Sequence, residues 1–178
     1  RIVGTENGLT KITMADYSKN KNTLTTSMKF GARTSELTFS TAYGIGKYLD
    51  DWYNATSEND TSQKYTGLYL DTTYRNMIAT ASQDNIVWYQ GTDVSGTGYY
   101  YTKAKEGTAI DATIGLGRYG EMFSTQIGGN NGINTWLITK YSNSTIWRIS
   151  ADGRVVGYAP TQTFGVRPCM YLKTDVMI

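Results

Sequence analysis

Histidine is absent from the 178 residues, and cysteine occurs once, at Cys169. The chain therefore lacks the commonest general base, the commonest transition-metal ligand and any Ser-His or Cys-His pair. A hydrolytic activity would rest on carboxylates alone. A single cysteine excludes a disulfide within the chain, which a domain of this length does without, and it leaves the compartment open. Charge is also sparse: 18% of residues are Asp, Glu, Lys or Arg, against about 25% in ordinary soluble domains. The net charge is +2, and the basic residues do not run together; Lys103 and Lys105 come nearest to a cluster, and Glu106 follows directly. Nucleic acid is thereby excluded as a partner, because it requires a concentrated basic face. No stretch approaches the length of a transmembrane helix and none has the pattern of a signal peptide, so no membrane insertion of this segment is expected. The sequence opens in what reads as mid-strand, Arg1-Ile2-Val3. A fragment trimmed at both ends, with an anchoring or targeting segment upstream, is the expectation.

What takes the place of charge is Thr, Ser, Asn, Gly and 15 tyrosines. An uncharged polar surface of this kind is common in extracellular β-rich domains. The same mixture recurs in binding loops, where tyrosine supplies contact area at low entropic cost, and it also accompanies strands and turns in general. The length suits one domain over residues 1–178, and no repeat, heptad run or low-complexity linker divides it.

Hydropathy patterning predicts an α+β chain. Arg1 to Val3 and Thr10 to Met14 read as strands joined through Asn7-Gly8, a hairpin dipeptide. Ile45, Tyr48, Leu49, Trp52 and Tyr53 form one helical stripe, with Ser40 or Thr41 as cap and Asn54 as stop. Lys47, Asp50 and Asp51 are expected on its wet side. Asn20 to Thr26 and Ala55 to Lys64 read as polar loops. Asp71 caps a shorter helix through Tyr74, Met77 and Ile78. A strand at Ile86 to Gln90, a turn at Gly91 to Gly98 and a returning strand at Tyr99 to Thr102 follow, then a helical turn around Tyr119 to Phe123. The last third is β-dense: Trp136–Thr139, Ile146–Ser150, Arg154–Tyr158 and Pro168–Leu172, with Ala151-Asp152-Gly153 as a hairpin turn.

The most specific region runs Asn134-Thr135-Trp136-Leu137-Ile138-Thr139, Ile146-Trp147-Arg148-Ile149, Asp152-Gly153-Arg154-Val155, and then Phe164-Gly165-Val166-Arg167-Pro168-Cys169-Met170-Tyr171-Leu172. The ordered pattern W-L-x-[ST], D-G-x-V, G-V-R-P-x-x-x-L resembles the C-terminal signature of uncharacterised Gram-positive bacterial surface domains with a C-type-lectin-like fold. Arg1-Ile2-Val3-Gly4, Tyr48-Leu49-Asp50-Asp51-Trp52-Tyr53 and Ile114-Gly115-Leu116 stand in the order that family places such pieces. The resemblance implies antiparallel sheets flanked by two main helices, with ligand contacts on loops before the last strands. It is distantly shared with phage tropism determinants and formylglycine-generating enzymes. Those enzymes use paired cysteines with copper, which this chain cannot supply.

Four residues read as structural: Trp136 in the core, Gly165 at a tight turn, Arg167 buried against fixed partners, and Pro168 at the start of the last strand. Ligand contacts are expected from Tyr141, Trp147 and Tyr158 by ring stacking and from Asn131, Asn143 and Gln162 by hydrogen bonding. For Trp147 a core position is the alternative. No cofactor is expected. The Glu-Pro-Asn, Gln-Pro-Asp and Trp-Asn-Asp tripeptides of calcium-dependent sugar binding are missing, although Asp50-Asp51 or Glu58-Asn59-Asp60 could hold a hard cation. The sequons at Asn54, Asn59 and Asn143 matter only in a glycosylating host.

These features predict a non-enzymatic binding domain on a bacterial cell surface, adhesin-like or associated with a pilus or the envelope, that takes a glycan or protein ligand of a host or neighbouring cell. The alternative is a structural subunit of a surface fibre that packs against other pilus or envelope subunits. A carboxylate-only glycosidase would need two acids facing one cleft at about 5–10 Å.

Overall fold

A computed structural model describes residues 1–14, 27–67, 69–92, 107–121 and 134–176. The fold is mixed α and β, with few helices and antiparallel pairing throughout its strand ladders. Strands β1 (Ile2–Glu6) and β2 (Leu9–Thr13) form a two-residue hairpin in which Asn7 and Gly8 both take positive φ, as a type I′ turn demands. β2 pairs on its other side with β11 (Pro168–Leu172), and β11 pairs with β6 (Gly115–Leu116), giving the order β1-β2-β11-β6. The second large sheet is β7 (Thr135–Lys140), β8 (Ile146–Ile149) and β9 (Val155–Tyr158). Among the described residues two ribbons complete the β structure: β3 (Met28–Lys29) with β10 (Thr163–Phe164), and β4 (Trp88–Gln90) with β5 (Thr108–Ile110). The segments expected at Asn20–Thr26, Gly91–Gly98 and Tyr99–Thr102, and the end of the turn at Tyr119–Phe123, lie wholly or largely outside the described residues.

Helix α1 (Gly44–Asn54) buries Ile45, Tyr48, Leu49 and Trp52 along the predicted stripe. Each such side chain contributes about 1.5–3 kcal/mol when taken from water. Two expectations are corrected. Neither Ser40 nor Thr41 caps the helix: Tyr43 is the N-cap and provides no side-chain bond, while Ser40 Oγ accepts from Ala42 N in the preceding turn. Asp51, expected on the wet side, is fully buried; its carboxylate accepts from Lys47 Nζ at 2.5 Å and from Tyr65 N at 2.9 Å. A carboxylate can lie under a helix where a lysine one turn earlier and a backbone amide replace its water. Helix α2 (Thr72–Met77) starts as expected, with Asp71 accepting from Thr73 N, but it buries none of its residues. Helix α3 is a single turn, Ala81–Asp84.

The main apolar cluster runs from Leu9 through α1, Trp88, Ile114, Trp136 and Ile146 to Tyr171, so both large sheets share it. Gln90, 2% exposed, braces three segments through this core. Its Oε1 accepts from Phe39 N, and its Nε2 donates to Leu37 O and Ile138 O. The register of β2, β11 and β6 sets Lys11 opposite Tyr171 and Gly115 opposite Cys169, and the Trp88 ring lies over this face. Lys11 is 2% exposed, with Nζ 4.5 Å from the Trp88 ring centre and 2.7 Å from Glu121 Oε1. Arg118 Nη2 stands 2.8 Å from both Glu6 Oε2 and Glu121 Oε1, and the Tyr171 hydroxyl donates to Glu6 at 2.6 Å. Burial alone would push the Glu121 carboxyl up, but Lys11 and Arg118 outweigh it and hold the group below the usual carboxylate range. Burial, then the bond to Glu6, drives the Tyr171 phenol well above its ordinary value.

Because the folded Glu121 carboxyl binds its proton less tightly than the unfolded one, its contribution is present in full above the unfolded pKa of about 4.3. It is lost as pH falls through the lower folded value. Glu121→Gln is expected to cost about 3–5 kcal/mol at neutral pH, since it strands Lys11, and to flatten the acid limb of stability; urea denaturation across the acid range measures both. A second substitution probes the packing above the same face. A Cβ on Gly115 would lie 2.5 Å from Trp88 Cε3, so Gly115→Ala should cost about 1–3 kcal/mol by overpacking, read as a lower denaturation midpoint.

Candidate recognition site

Strand register divides the candidate residues between two faces of the β7-β8-β9 sheet. Trp136, Arg148 and Val156 stand opposite one another, as do Ile146 and Tyr158, and these residues share one face. Trp147 opposite Gly157, and Ile149 opposite Val155, share the other. On that second face Leu137, Trp147 and Ile149 gather with Tyr119 into a small apolar cluster, with Tyr141 and Val155 packed against it. The Trp147 ring lies 4.3 Å from Tyr141 and 5.1 Å from Tyr119. Gly157 is what lets Tyr141 settle there, since a Cβ at that position would come within 2.2 Å of Tyr141 Cδ1.

Of the residues expected to contact ligand, Tyr141 and Trp147 are therefore brought together, and Trp147 is 7% exposed. Tyr158 projects from the opposite face and is exposed. Asn143 is exposed in the turn between β7 and β8, where Ser142 Oγ bonds with Ser144 and Thr145. Gln162 is exposed in the turn joining β9 to β10. Asn131 lies outside the described residues. The four residues read as structural are all buried. Trp136 sits in the main cluster, its Nε1 donating to Met28 O and its backbone N to Gly165 O. Pro168 opens β11, and its carbonyl accepts from the Thr13 hydroxyl.

The face bearing Tyr158 carries a feature that side-chain patterning did not single out. The Tyr158 and Phe164 rings meet edge to face at 5.3 Å, and the Arg148 guanidinium sits in their corner, 4.2 Å from the first ring centre and 4.6 Å from the second. Arg148 is 8% exposed, and neither its Nε nor its Nη1 has a hydrogen-bond partner among the described residues. The ring of Phe164 is in turn backed by Trp136 at 4.7 Å, so the corner is fixed to the core.

Sequence reading also missed a cleft of 280 Å³ beside the β3-β10 ribbon and the start of α1. Lys29, Lys64, Tyr43, Tyr65, Ser27 and Thr163 line it together with apolar atoms, and among the described residues no carboxylate does. Buried Asp51 positions one wall, through its bond to Tyr65 N. The signal for this site is tertiary: its lining comes from residues 27–65 together with the distant Thr163, with no shared motif.

The acidic groups are mostly engaged locally. Asp60 accepts from Ser62 and Thr56, which hold its carboxyl far below the usual range, and Asp152 accepts from Arg154. Glu36 closes a turn at Ala32 and Arg33. Glu6 and Glu121 do converge, but on Arg118 rather than on a cleft. Among the described residues no group of three or more His, Cys, Asp or Glu side chains is placed to hold a metal ion. Cys169 is fully buried, and burial pushes its thiol up to about 11, where a thiolate is scarce at neutral pH.

Gly157→Ala is expected to expel the Tyr141 ring from its seat on Trp147. A red shift of tryptophan fluorescence, with loss of about 1–3 kcal/mol, would register the change.

Comparison with protein families, with curated proteins and with solved structures finds no match for the chain.

Proposed function

We propose that the protein is a non-enzymatic extracellular recognition domain of a bacterial surface protein, with a C-type-lectin-like arrangement, that binds a glycan or protein ligand through its C-terminal strands and turns. The observation that carries this reading is the corner at Tyr158. An exposed ring is held in place by a buried guanidinium and a half-buried phenylalanine that packs on the core, with the Gln162 amide in the adjoining turn. A pre-organised aromatic surface with a polar neighbour is what sugar rings and protein side chains stack on, and its rigidity lowers the entropy lost on binding. The fold supports the same reading at a coarser level, through a helix laid on antiparallel sheets and a β-dense C-terminal third. The engagement of most carboxylates in turns and ion pairs favours binding over hydrolysis.

A structural subunit is the second reading, and one observation favours it. Tyr74 and Met77 project from α2, which buries none of its residues, at 63% and 37% exposure. An exposed apolar pair on an unburied helix is a surface that a neighbouring subunit could cover.

A glycan array probed with the purified domain, with calcium and again with a chelator, tests the first reading. Competable binding that Tyr158→Ala weakens by about tenfold is expected, since a ring contact of this kind contributes about 0.5–1.5 kcal/mol beyond the area it buries. A blank array, together with self-association that Tyr74→Ser abolishes in sedimentation velocity, would transfer the assignment to the structural subunit.

A further inference from the structure

Two arginines, Arg118 after β6 and Arg148 in β8, illustrate opposite solutions to burial. Arg118 meets Glu6 and Glu121 at 2.8 Å. Arg148, 8% exposed, meets two rings and no carboxylate among the described residues, with Nε and Nη1 both lacking acceptors. Ring quadrupoles attract the cation but accept no N–H hydrogen bond of ordinary strength, so the desolvation of those two donors stands uncompensated. If packing were the whole role, methionine or leucine would fill the corner without that cost. A guanidinium presents two edges, Nε with Nη2 and Nη1 with Nη2, and each matches a planar two-oxygen acceptor. Tyr158 is the exposed member of the corner, so a ligand reaches the fork from the side of that ring.

We propose that Arg148 is the receptor for the carboxylate of an acidic sugar, whose ring stacks on Tyr158 while the carboxylate pairs with the guanidinium. The assignment rests on the recognition reading and names its ligand class. A sugar acid fits the corner better than an acidic peptide does. The aromatic face takes the apolar side of a pyranose ring, the exposed Gln162 amide offers a donor and an acceptor to hydroxyls, and the cation takes the single charged group. A bidentate, partly desolvated contact of this kind supplies both affinity and selection against neutral sugars, whose hydroxyls offer the fork no charged two-oxygen acceptor.

The test titrates the domain with D-glucuronate, D-glucose and an N-acetylated aspartyl peptide, following the Arg148 Nε–H resonance by NMR. Glucuronate is expected to bind about tenfold or more tighter than glucose and to shift that resonance downfield. Arg148→Met should abolish the preference, and Arg148→Lys, which keeps the charge without the fork, should reduce it by about tenfold. If Arg148→Met fails to fold, the resonance shift in the unaltered domain decides alone. Equal affinity for glucuronate and glucose, or glucuronate binding that leaves the Nε–H signal unmoved, overturns the proposal. Preference for the aspartyl peptide overturns the sugar assignment. Neutral glycans bound on the array without a glucuronate preference would remove this inference and leave the recognition reading standing, whereas a blank array together with a blank titration would remove both.

Discussion

The ammonium of Lys11 is the constraint around which the β1-β2-β11-β6 sheet is organised. A lysine with 2% exposure is tolerated only where its charge is matched and its stem is packed, and both conditions are met from distant parts of the chain. Glu121 supplies the charge, Trp88 and Tyr171 supply the walls, and Arg118 binds Glu121 to Glu6. The network thereby ties β1, β2, β11, the β4 ribbon and the segment after β6 into one electrostatic unit. Its two cations and two anions balance, so the four charges sum to zero. The same environment accounts for the inertness of Cys169, whose thiol lies on this face beside Thr13.

The second sheet solves its burial differently. One face carries Trp136 and Ile146 into the shared core, and the other carries a smaller cluster centred on Trp147. Arg148 is the exception on the core-bound face, held by rings instead of counter-charges. The contrast between Arg118 and Arg148 separates an arginine that completes the fold from one whose donors are left for another molecule.

Much of the framework was legible in the sequence. The stripe from Ile45 to Tyr53, the Asn7-Gly8 turn, the Asp71 cap and the strands of the last third follow from local rules, because periodicity and turn chemistry act over a few residues. Asp51 shows where those rules stop: by helical phase it belongs with Lys47 and Asp50, and only the arrival of Tyr65 N explains its burial. Gln90 was read only as a strand residue, whereas it braces three segments through partners 48 to 53 positions away. At the candidate site, Tyr158 and Gln162 were legible as polar-aromatic surface residues. Arg148 was not, since its significance lies in what its neighbours fail to provide. The split of Tyr141 and Trp147 from Tyr158 follows strand parity, which a contiguous reading of aromatic residues overlooks.

The pairing of β2 with β11 has a kinetic side. Thr13 bonds to the carbonyl of Pro168, 155 positions later. During synthesis at about 5–20 residues per second, the early hairpin waits on the order of ten seconds or more for the strand that seals it, with Lys11 lacking both Glu121 and its aromatic walls for most of that time. A chain whose central sheet closes last has a high contact order and folds slowly. The charge of Lys11 then acts as a solubilising group on the nascent hairpin, discouraging premature strand pairing until its own partners arrive.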